Sequence, residues 1–266
     1  TAGDSVNLAM TGASGGFGPP YTWSVSGQPT GLSINSGTGT ITGTLVNTGM
    51  SATNYQTTVT LTDSSGSNTI AHTFGWTVAP GLAIYAPTTV PGTSVGGTVT
   101  GVQASYTCPN APCSFSTSGL PGGITLSSIT GTTSGTIALS GKVTGSAQTY
   151  AVKLTATDAK GAKASATFSW PVVAAPSITN PGNRSTSNSR SSRDYTLNLS
   201  STCPLGGCSF SATATRSGGT SVSNVTVDSN GTVTVSGPSR TTYTITVTII
   251  DADLSSTFQT FNWTFS

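Results

Sequence analysis

The stretch YAVKLTATDAKGAKASATFSWPV, residues 150–172, decides the fold of this chain. It recurs as YQTTVTLTDSSGSNTIAHTFGWTV at residues 55–78 and as YTITVTIIDADLSSTFQTFNWTF at residues 243–265. Each copy opens with Tyr, has Asp eight residues later and closes with Phe-x-Trp followed, one residue on, by Val or Phe. The opening tyrosines are 95 and 93 residues apart. A period of this length indicates three similar units in tandem.

Each copy reads as two strands joined by a turn. In the middle copy Val152 and Leu154 fall on one face of an extended chain, and polar residues alternate with them, which is typical of a half-buried strand. Asp158 and Gly161 suit the first and fourth positions of a type I turn. The second strand then adds the large ring of Trp170 to the same core. We therefore expect a β-hairpin anchored by an aromatic ring in every unit.

The period and the short alternating segments predict the organisation of the whole chain. Three domains follow from the period, at residues 1–79, 80–174 and 175–266, and each is large enough for one modest core. No helical periodicity is present, so we expect an all-β fold. The linkers VAPG (78–81) and VAAP (173–176) are short and contain proline, which limits bending. These features predict an elongated rod of three semi-rigid units.

Composition excludes several classes of protein. Charged residues make up 6% of the chain, against about 25% in an ordinary soluble domain, and Glu is absent. The net charge is +2 and no cluster of Lys and Arg is dense, so we expect no nucleic-acid partner. No apolar run is long enough to span a membrane as a helix. Charge repulsion normally helps to keep proteins from associating, and a weakly charged surface lacks it. The composition therefore predicts a surface that packs in an assembly or carries glycans.

Four cysteines form two pairs with the same spacing, Cys108 with Cys113 and Cys203 with Cys208. The pairs lie at equivalent positions of the second and third units, and we expect each pair to form a local disulfide across one inter-strand loop. A single four-thiolate zinc site is the alternative, but the two pairs would have to meet from separate domains. Disulfides indicate an oxidising, extracytoplasmic compartment. The first unit has the proline-bearing segment Gly15–Pro20 at this place.

The first unit lacks a segment that the other two have. The segment Ser5–Met10 of the first unit aligns with Thr98–Ala104 of the second. In the second unit another extended segment, Leu82–Pro87, precedes this strand, and in the third unit Ser177–Pro181 does the same. Two interpretations stay open. In the first, the segment was cut from a longer protein at an arbitrary place, which we expect because Thr1 is not an initiator Met. Alternatively, a neighbouring subunit supplies the strand, and in either case an unpaired sheet edge is left in the isolated chain.

The order of motifs resembles a known family. An aromatic strand, Ser-Gly-x-Pro-x-Gly-Leu, Thr-Gly-x-Ile-x-Gly, Tyr-x-x-x-Val-x-x-Thr-Asp-x-x-Gly and a final hydrophobic strand are similar to the He-PIG Ig-like repeats of bacteria, which are related to cadherin-like modules. The third unit departs at 212–216 and 251–254. The resemblance implies three tandem Ig-like β-sandwiches. It also implies an extracellular location, since such repeats occur in tandem on surface proteins, adhesins and secreted enzymes.

No catalytic constellation is visible in the sequence. His72 is the one histidine, so a Ser-His-Asp triad has no alternative base, and its position in line with the aromatic residues predicts a core or edge residue. We therefore expect no enzyme, no cofactor and no metal. Asp63, Asp158 and Asp251 are explained more simply as turn formers than as calcium ligands, because calcium needs several converging oxygens. Asp251 with Asp253 is the one acidic pair that invites a calcium interpretation.

We therefore expect a non-catalytic extracellular structural segment of a bacterial surface protein or filament, acting as a spacer or building unit. Its partners would be other copies of itself or other surface-protein subunits. The alternative is an adhesin or glycan-binding accessory module that binds through inter-strand loops. A glycan site needs exposed aromatic rings, and Tyr21, Tyr85 and Tyr106 are the candidates outside the core pattern.

Overall fold

The computed structural model of the chain describes residues 1–127, 132–187, 194–238 and 240–266. Regular structure in these residues consists of β-strands, which confirms the all-β prediction. No helix in the described ranges is long and apolar enough to cross a membrane. The glycine-rich passage at 118–141 lies partly outside the described residues. Buried apolar side chains form three separate clusters, one in each repeat of the sequence.

The first repeat (residues 1–79) has two three-stranded antiparallel sheets. The strands are β1 (Ser5–Ala9), β2 (Thr22–Ser26), β3 (Leu32–Ile34), β4 (Thr40–Thr44), β5 (Thr53–Thr62) and β6 (Thr69–Val78). One sheet has the order β1-β4-β3 and the other β2-β5-β6. Ile41 of the first sheet and Val59 and Val78 of the second are buried in one cluster, so the two sheets pack face to face.

The second repeat (residues 80–174) has the same plan with additional strands. They are β7 (Ala83–Tyr85), β8 (Thr93–Ser94), β9 (Thr98–Thr107), β10 (Ser114–Ser118), β11 (Ile124–Leu126), β12 (Ser134–Lys142), β13 (Gln148–Thr157) and β14 (Lys163–Val173). The sheet orders are β11-β12-β9-β7 and β10-β13-β14-β8. The short strand β8 runs parallel to β14, and β7 pairs with the outer edge of β9.

The third repeat (residues 175–266) again has two facing sheets. Its described strands are β15 (Ser177–Ile178), β16 (Arg184–Thr186), β17 (Asp194–Asn198), β18 (Ser201–Thr202), β19 (Ser209–Arg216), β20 (Thr220–Val222), β21 (Val225–Val227), β22 (Thr232–Ser236), β23 (Thr241–Ile250) and β24 (Ser256–Phe265). The larger sheets have the orders β17-β22-β21 and β16-β24-β23-β19-β20, and β15 pairs with β18. Strand β16 runs parallel to β24, as β8 does to β14.

The repeated stretch forms the same hairpin in all three repeats, in the same register. Tyr150 lies opposite Trp170, and the corresponding pairs are Tyr55 with Trp76 and Tyr243 with Trp263. The turn is closed by a hydrogen bond from Gly161 N–H to the Asp158 carbonyl, 3.0 Å. In the third repeat Leu254 takes this glycine's place and has a φ of 66°, so the turn survives without glycine.

A buried indole ties the closing parallel strand to the hairpin. Trp170 Nε1 donates to Thr93 Oγ1 of β8 at 3.0 Å, and Trp263 Nε1 donates to Thr186 Oγ1 of β16 at 2.9 Å. Trp170 is fully buried, so no water can replace the acceptor. The short strand is therefore held by side-chain chemistry as well as by its few backbone pairs.

The substitution Thr93→Val tests this contact. Valine keeps the shape of threonine but leaves the Trp170 N–H buried without an acceptor, and we expect a loss of about 1–3 kcal/mol in the free energy of unfolding. Denaturant unfolding followed by tryptophan fluorescence measures the loss. The matched control is Thr167→Val, at an exposed position of β14, where we expect a change within about 0.5 kcal/mol. Equal effects of the two substitutions would contradict the assigned role of Thr93.

Candidate functional site

The cysteine loops lie at one end of the second and third repeats. Cys108 is joined to Cys113 in the loop between β9 and β10, and Cys203 is joined to Cys208 in the loop between β18 and β19. The first pair is buried and the second is half-buried. Each disulfide lies within one repeat and closes a loop of six residues.

An aspartate of the hairpin turn holds the neighbouring loop at this end of each repeat. Asp63 Oδ2 accepts a hydrogen bond from Phe17 N–H at 2.9 Å. Asp158 Oδ2 accepts from the Asn110 side chain at 2.8 Å, within the first cysteine loop. In the third repeat Asp251 accepts from the N–H of Leu205, within the second cysteine loop, at 3.2 Å. The three aspartates thus act as acceptors that join a turn to a loop.

The hydrogen bonds shift the acidity of two of these carboxyl groups. The N–H of Phe17 and the side chains of Ser65 and Asn68 hold the pKa of Asp63 well below its usual range. The Asn110 side chain, together with the N–H groups of Ala162 and Lys160, lowers the pKa of Asp158. The described residues contain no group of three or more His, Cys, Asp or Glu placed to hold a metal ion.

The aromatic residues considered for a glycan site do not form one surface. Tyr106 is buried and its ring packs 4.5 Å from that of Phe115, so the expectation that it lies outside the core is wrong. Tyr85 is half-buried and donates to the carbonyl of Thr48. The most exposed aromatic ring at this end is Phe17, at 77%. Sequence reasoning missed Phe17 because nothing in the Gly-rich loop 15–20 indicates where its ring points.

Two sheet edges that are covered in the second repeat are uncovered in the first. Strand β1 pairs only with β4, and β6 pairs only with β5, whereas β7 and β8 cover the equivalent edges in the second repeat. These statements concern residues 1–127, all of which are described. The sequence alignment predicted that one extended segment is absent from the first repeat, and in the structure neither β7 nor β8 has a counterpart there.

The uncovered side exposes the inner face of β6. Ile70 is 70% exposed, His72 is exposed, and Phe74 and Trp76 are half-buried. The rings follow one another along this face, with centroids 6.5 Å apart for His72 and Phe74 and 6.0 Å apart for Phe74 and Trp76. A groove of about 280 Å³ lies at the Ile70 and His72 end of β6, and Met10 and Trp23 form part of its wall.

Trp76 differs from its two counterparts in one hydrogen bond. Its Nε1 is buried and has no hydrogen-bond partner among the described residues. Trp170 and Trp263 donate to threonines of the parallel strands β8 and β16. The first repeat has no strand in this place. An unpaired buried N–H is rare in folded proteins, and it marks this edge as the strongest candidate site.

The substitution Asp63→Asn tests the turn carboxylate through its pH dependence. Because the folded-state pKa of Asp63 is lowered, its charged form adds stability above the unfolded value of about 3.9, and this stability is lost as the pH falls below that value. We expect the variant to be less stable than the wild type at pH 7 and to lose less on acidification to pH 2. Thermal unfolding measured by circular dichroism between pH 2 and 7 gives both quantities. The control is Asp194→Asn on β17; an equal reduction in acid sensitivity there would contradict the role of Asp63.

Mass spectrometry and substitution test the two disulfides. Reduction of the intact chain should add two hydrogens to its mass for each disulfide, and mass spectrometry detects the change. The double substitution of Cys108 and Cys113 by Ser should lower the free energy of unfolding by about 2 kcal/mol, the loop-closure value for six residues. A chain whose mass is unchanged by reductant would show that the thiols are not paired with one another.

Comparison with known proteins gives the family. The He_PIG family, described as "Putative Ig domain", matches residues 1–79 and 81–173. No curated protein sequence matches the chain. Among solved structures, the ectodomain of human desmocollin-1 is 12% identical at a TM-score of 0.35, with 98% of this chain and 57% of that chain covered.

Two further solved structures are nearly the length of this chain. Mouse cadherin-23 EC22-24 is 14% identical at a TM-score of 0.30, and titin domains I67–I69 are 13% identical at a TM-score of 0.32; both alignments cover 100% of this chain and 94% of the other. The chain spans little more than half of the desmocollin-1 ectodomain. None of these likenesses carries an argument about function. The two He_PIG matches cover well over half of the residues, and the chain therefore belongs to the He_PIG family of Ig-like domains.

Proposed function

We propose that the chain is a non-catalytic structural segment of an extracellular protein, in which three Ig-like domains at residues 1–79, 80–174 and 175–266 act as a spacer or building unit. Ig-like repeats in tandem are typical of extracellular structural or adhesive modules. The two disulfides support an oxidising compartment. The resemblance to bacterial He-PIG repeats supports the bacterial cell surface. The observation that carries the proposal is the set of direct contacts between successive repeats.

The first and second repeats meet through the chain around the first linker. Tyr85 Oη of β7 donates to the Thr48 carbonyl in the loop between β4 and β5, at 3.2 Å. Thr107 Oγ1, at the end of β9, donates to the Gly81 carbonyl at 2.6 Å. These bonds fix the linker and one loop of the first repeat against the start of the second. The joint is therefore more than a flexible tether.

The second and third repeats meet through Asp253. Its carboxylate accepts hydrogen bonds from the N–H and the hydroxyl of Ser94, and its carbonyl accepts from Thr98 N–H at 2.8 Å. Burial raises the pKa of Asp253, but the bonds from Ser94 and Ser255 lower it overall. Asp253, one of the acidic pair noted in the sequence, thus joins two repeats. A charge-assisted bond at a joint resists bending more than a neutral one would.

The surface chemistry supports protein partners. Few charges and a net charge of +2 leave little repulsion between copies of the chain. We infer that the partners are other copies of this chain or other subunits of the same surface structure. A filament is the extreme form of such an assembly.

Binding at the exposed loop of the first repeat is the second candidate function. Phe17 is 77% exposed, and its N–H is fixed by Asp63, so an aromatic ring stands on a held loop. Rigid exposed aromatic rings are common anchors of interfaces and of sugar-binding sites. An adhesin or a glycan-binding accessory module would bind its ligand through this loop. The substitution Phe17→Ala would then abolish binding of the ligand to the chain.

Small-angle X-ray scattering tests the spacer. A compact chain of this length has a radius of gyration of about 18 Å, and a rod of three domains exceeds this value clearly. We expect the variant Asp253→Ala to broaden the distribution of interatomic distances, because the second joint loses its charged acceptor.

The matched control is Asp228→Ala, which removes an acceptor from the turn between β21 and β22 inside the third repeat. It should leave the distance distribution unchanged. A radius of gyration near the compact value, or equal scattering from the wild type and Asp253→Ala, would contradict the semi-rigid spacer.

A further inference from the structure

We propose that Asn230 is the acceptor of an N-linked glycan, which a bacterial oligosaccharyltransferase transfers from a polyprenyl-diphosphate-linked oligosaccharide. Asn230 lies in the exposed turn between β21 and β22 of the third repeat. From the proposed function this inference uses only the extracytoplasmic bacterial location, where such enzymes act. The roles as spacer and building unit would stand unchanged if Asn230 carried no glycan.

Five acceptor sequons of the form Asn-x-Ser/Thr occur in the chain, and all of them fall in the third repeat. They begin at Asn183, Asn198, Asn224, Asn230 and Asn262. Ser and Thr are so frequent in this chain that sequons arise by chance, so the sequence pattern alone assigns no glycan. The residue before each sequon and the structure around it distinguish the five.

Asn230 is the one sequon asparagine with an acid two residues before it. Bacterial oligosaccharyltransferases select Asp or Glu at this position, since a cationic group of the enzyme pairs with the carboxylate. Asp228 occupies it here, whereas the residues at the same position of the other four sequons are Pro181, Thr196, Val222 and Thr260. The chain has 7 acidic residues among 266, so an acid at this place is uncommon in it. Residues 228–232 therefore form a complete bacterial acceptor sequence.

The turn brings the acid, the asparagine and the threonine of this sequence together. Asp228 Oδ1 accepts hydrogen bonds from Asn230 N–H at 2.9 Å and from Thr232 N–H at 2.8 Å. The N–H of Thr232 is the largest cause that lowers the pKa of Asp228, and the N–H of Asn230 and the side chains of both residues lower it further. The carboxylate is therefore charged at neutral pH, as its pairing with a cationic group requires.

The turn can enter an enzyme cleft without moving a core side chain. Residues 228–230 are exposed. The middle residue of the sequon is Gly231, which has no side chain to bury. It has a φ of 81°, and a Cβ at this position would lie 3.2 Å from the Phe210 ring. Glycine thus allows the tight turn and leaves the sequon without an anchor in the core.

Three of the other sequons are anchored by their middle residue. The anchoring residues are Leu199, Val225 and Trp263, all of which are buried in the core of the third repeat. To bind in an enzyme cleft, these sequons would have to withdraw an apolar side chain from the core. In one of them the acceptor atom is also engaged, because Asn224 Nδ2 donates to the Ser236 carbonyl.

The remaining sequon belongs to a strand ladder. Asn183 Oδ1 accepts a hydrogen bond from Asn262 N–H at 3.0 Å. The next residue, Arg184, pairs with Trp263 in the parallel ladder of β16 and β24. Glycan transfer to Asn183 would require β16 to leave the sheet edge that it covers.

The transfer forms one bond and breaks one. The Nδ2 atom of Asn230 attacks C1 of the first sugar, the bond between C1 and the diphosphate oxygen breaks, and the polyprenyl diphosphate leaves. Nδ2 loses one proton to a base of the enzyme, and the product is a glycosyl amide. No electrons are exchanged, and the lipid-linked oligosaccharide is the one co-substrate.

Mass spectrometry of the chain from its natural source tests the assignment directly. Cleavage after Arg216 and Arg240 releases residues 217–240, which contain the sequons of Asn224 and Asn230. We expect this peptide to carry one glycan, and fragmentation that keeps the sugar attached should locate it at Asn230. A peptide without a glycan, or with its glycan at Asn224, would overturn the proposal.

Transfer to the purified, folded chain tests the role of Asp228. The 266-residue chain is incubated with a bacterial oligosaccharyltransferase and an undecaprenyl-diphosphate-linked oligosaccharide. We expect one glycan on the wild type and none on Asn230→Gln. Asp228→Asn keeps the size of the side chain but loses its charge, and the initial rate should fall about ten-fold, the effect of one charge-assisted contact. Asp228→Glu keeps the charge and should be modified at nearly the wild-type rate.

Equal rates for the wild type and Asp228→Asn, or a glycan on Asn230→Gln, would overturn the proposal. The matched control is Thr196→Asp, which places an acid two residues before Asn198 at an exposed position of β17. Because Leu199 anchors that sequon, we expect no glycan on Asn198 while the variant is folded, and transfer to it after unfolding. Circular dichroism checks the fold of each variant. Transfer to Asn198 in the folded variant as fast as to Asn230 would contradict the requirement for an unanchored turn.

Discussion

The contact on which the second and third repeats depend is the burial of one tryptophan beneath the strand that closes the sheet. Tyr150 faces Trp170 across the hairpin, and Thr93 accepts the indole N–H from the other side. An indole ring adds much apolar area to a small core, but its N–H must be paired when water is excluded. The ring therefore demands a neighbouring strand with an acceptor at a fixed register. A short strand such as β8 is retained because it meets this demand.

The few charged groups serve the same architecture. Asp63 and Asp158 each accept hydrogen bonds within their own turn and from a neighbouring loop, and Asp253 accepts them from the preceding repeat. A carboxylate accepts several bonds at once, and so one residue can order two segments. A chain with 7 acidic residues thus uses several of them as structural acceptors, at turns and joints. Their role as hydrogen-bond acceptors accounts for the positions of these acidic residues without a calcium ion.

The sequence predicted the hairpins because alternation over ten residues leaves little choice of face, as in β13 and β23. It could not predict β8, because two residues carry no periodic signal and the strand depends on Trp170. The burial of Tyr106 was not predicted because it comes from packing against Phe115, which lies on a strand of the opposite sheet. The alignment predicted that the first repeat lacks the segment equivalent to β7, whereas the absence of a counterpart of β8 and the unpaired indole of Trp76 needed the positions of atoms. The alternation of apolar and polar residues thus predicts the long strands, whereas contacts between strands of different sheets determine the candidate site.

The edge of β6 lacks the features with which β-proteins protect exposed strands. Natural edges carry Lys, proline, bulges or short strands that discourage pairing. Strand β6 is ten residues long, contains no charged residue and no proline, and pairs with β5 in an unbroken register. A long, regular sheet edge of this kind invites pairing with another strand unless something covers it. The same absence of protection is harmless in β24, because β16 covers the equivalent edge beside Trp263. The composition of β6 is therefore that of a strand which is covered in the working molecule. The low charge of the chain extends to this edge, which has no charged residue to prevent pairing.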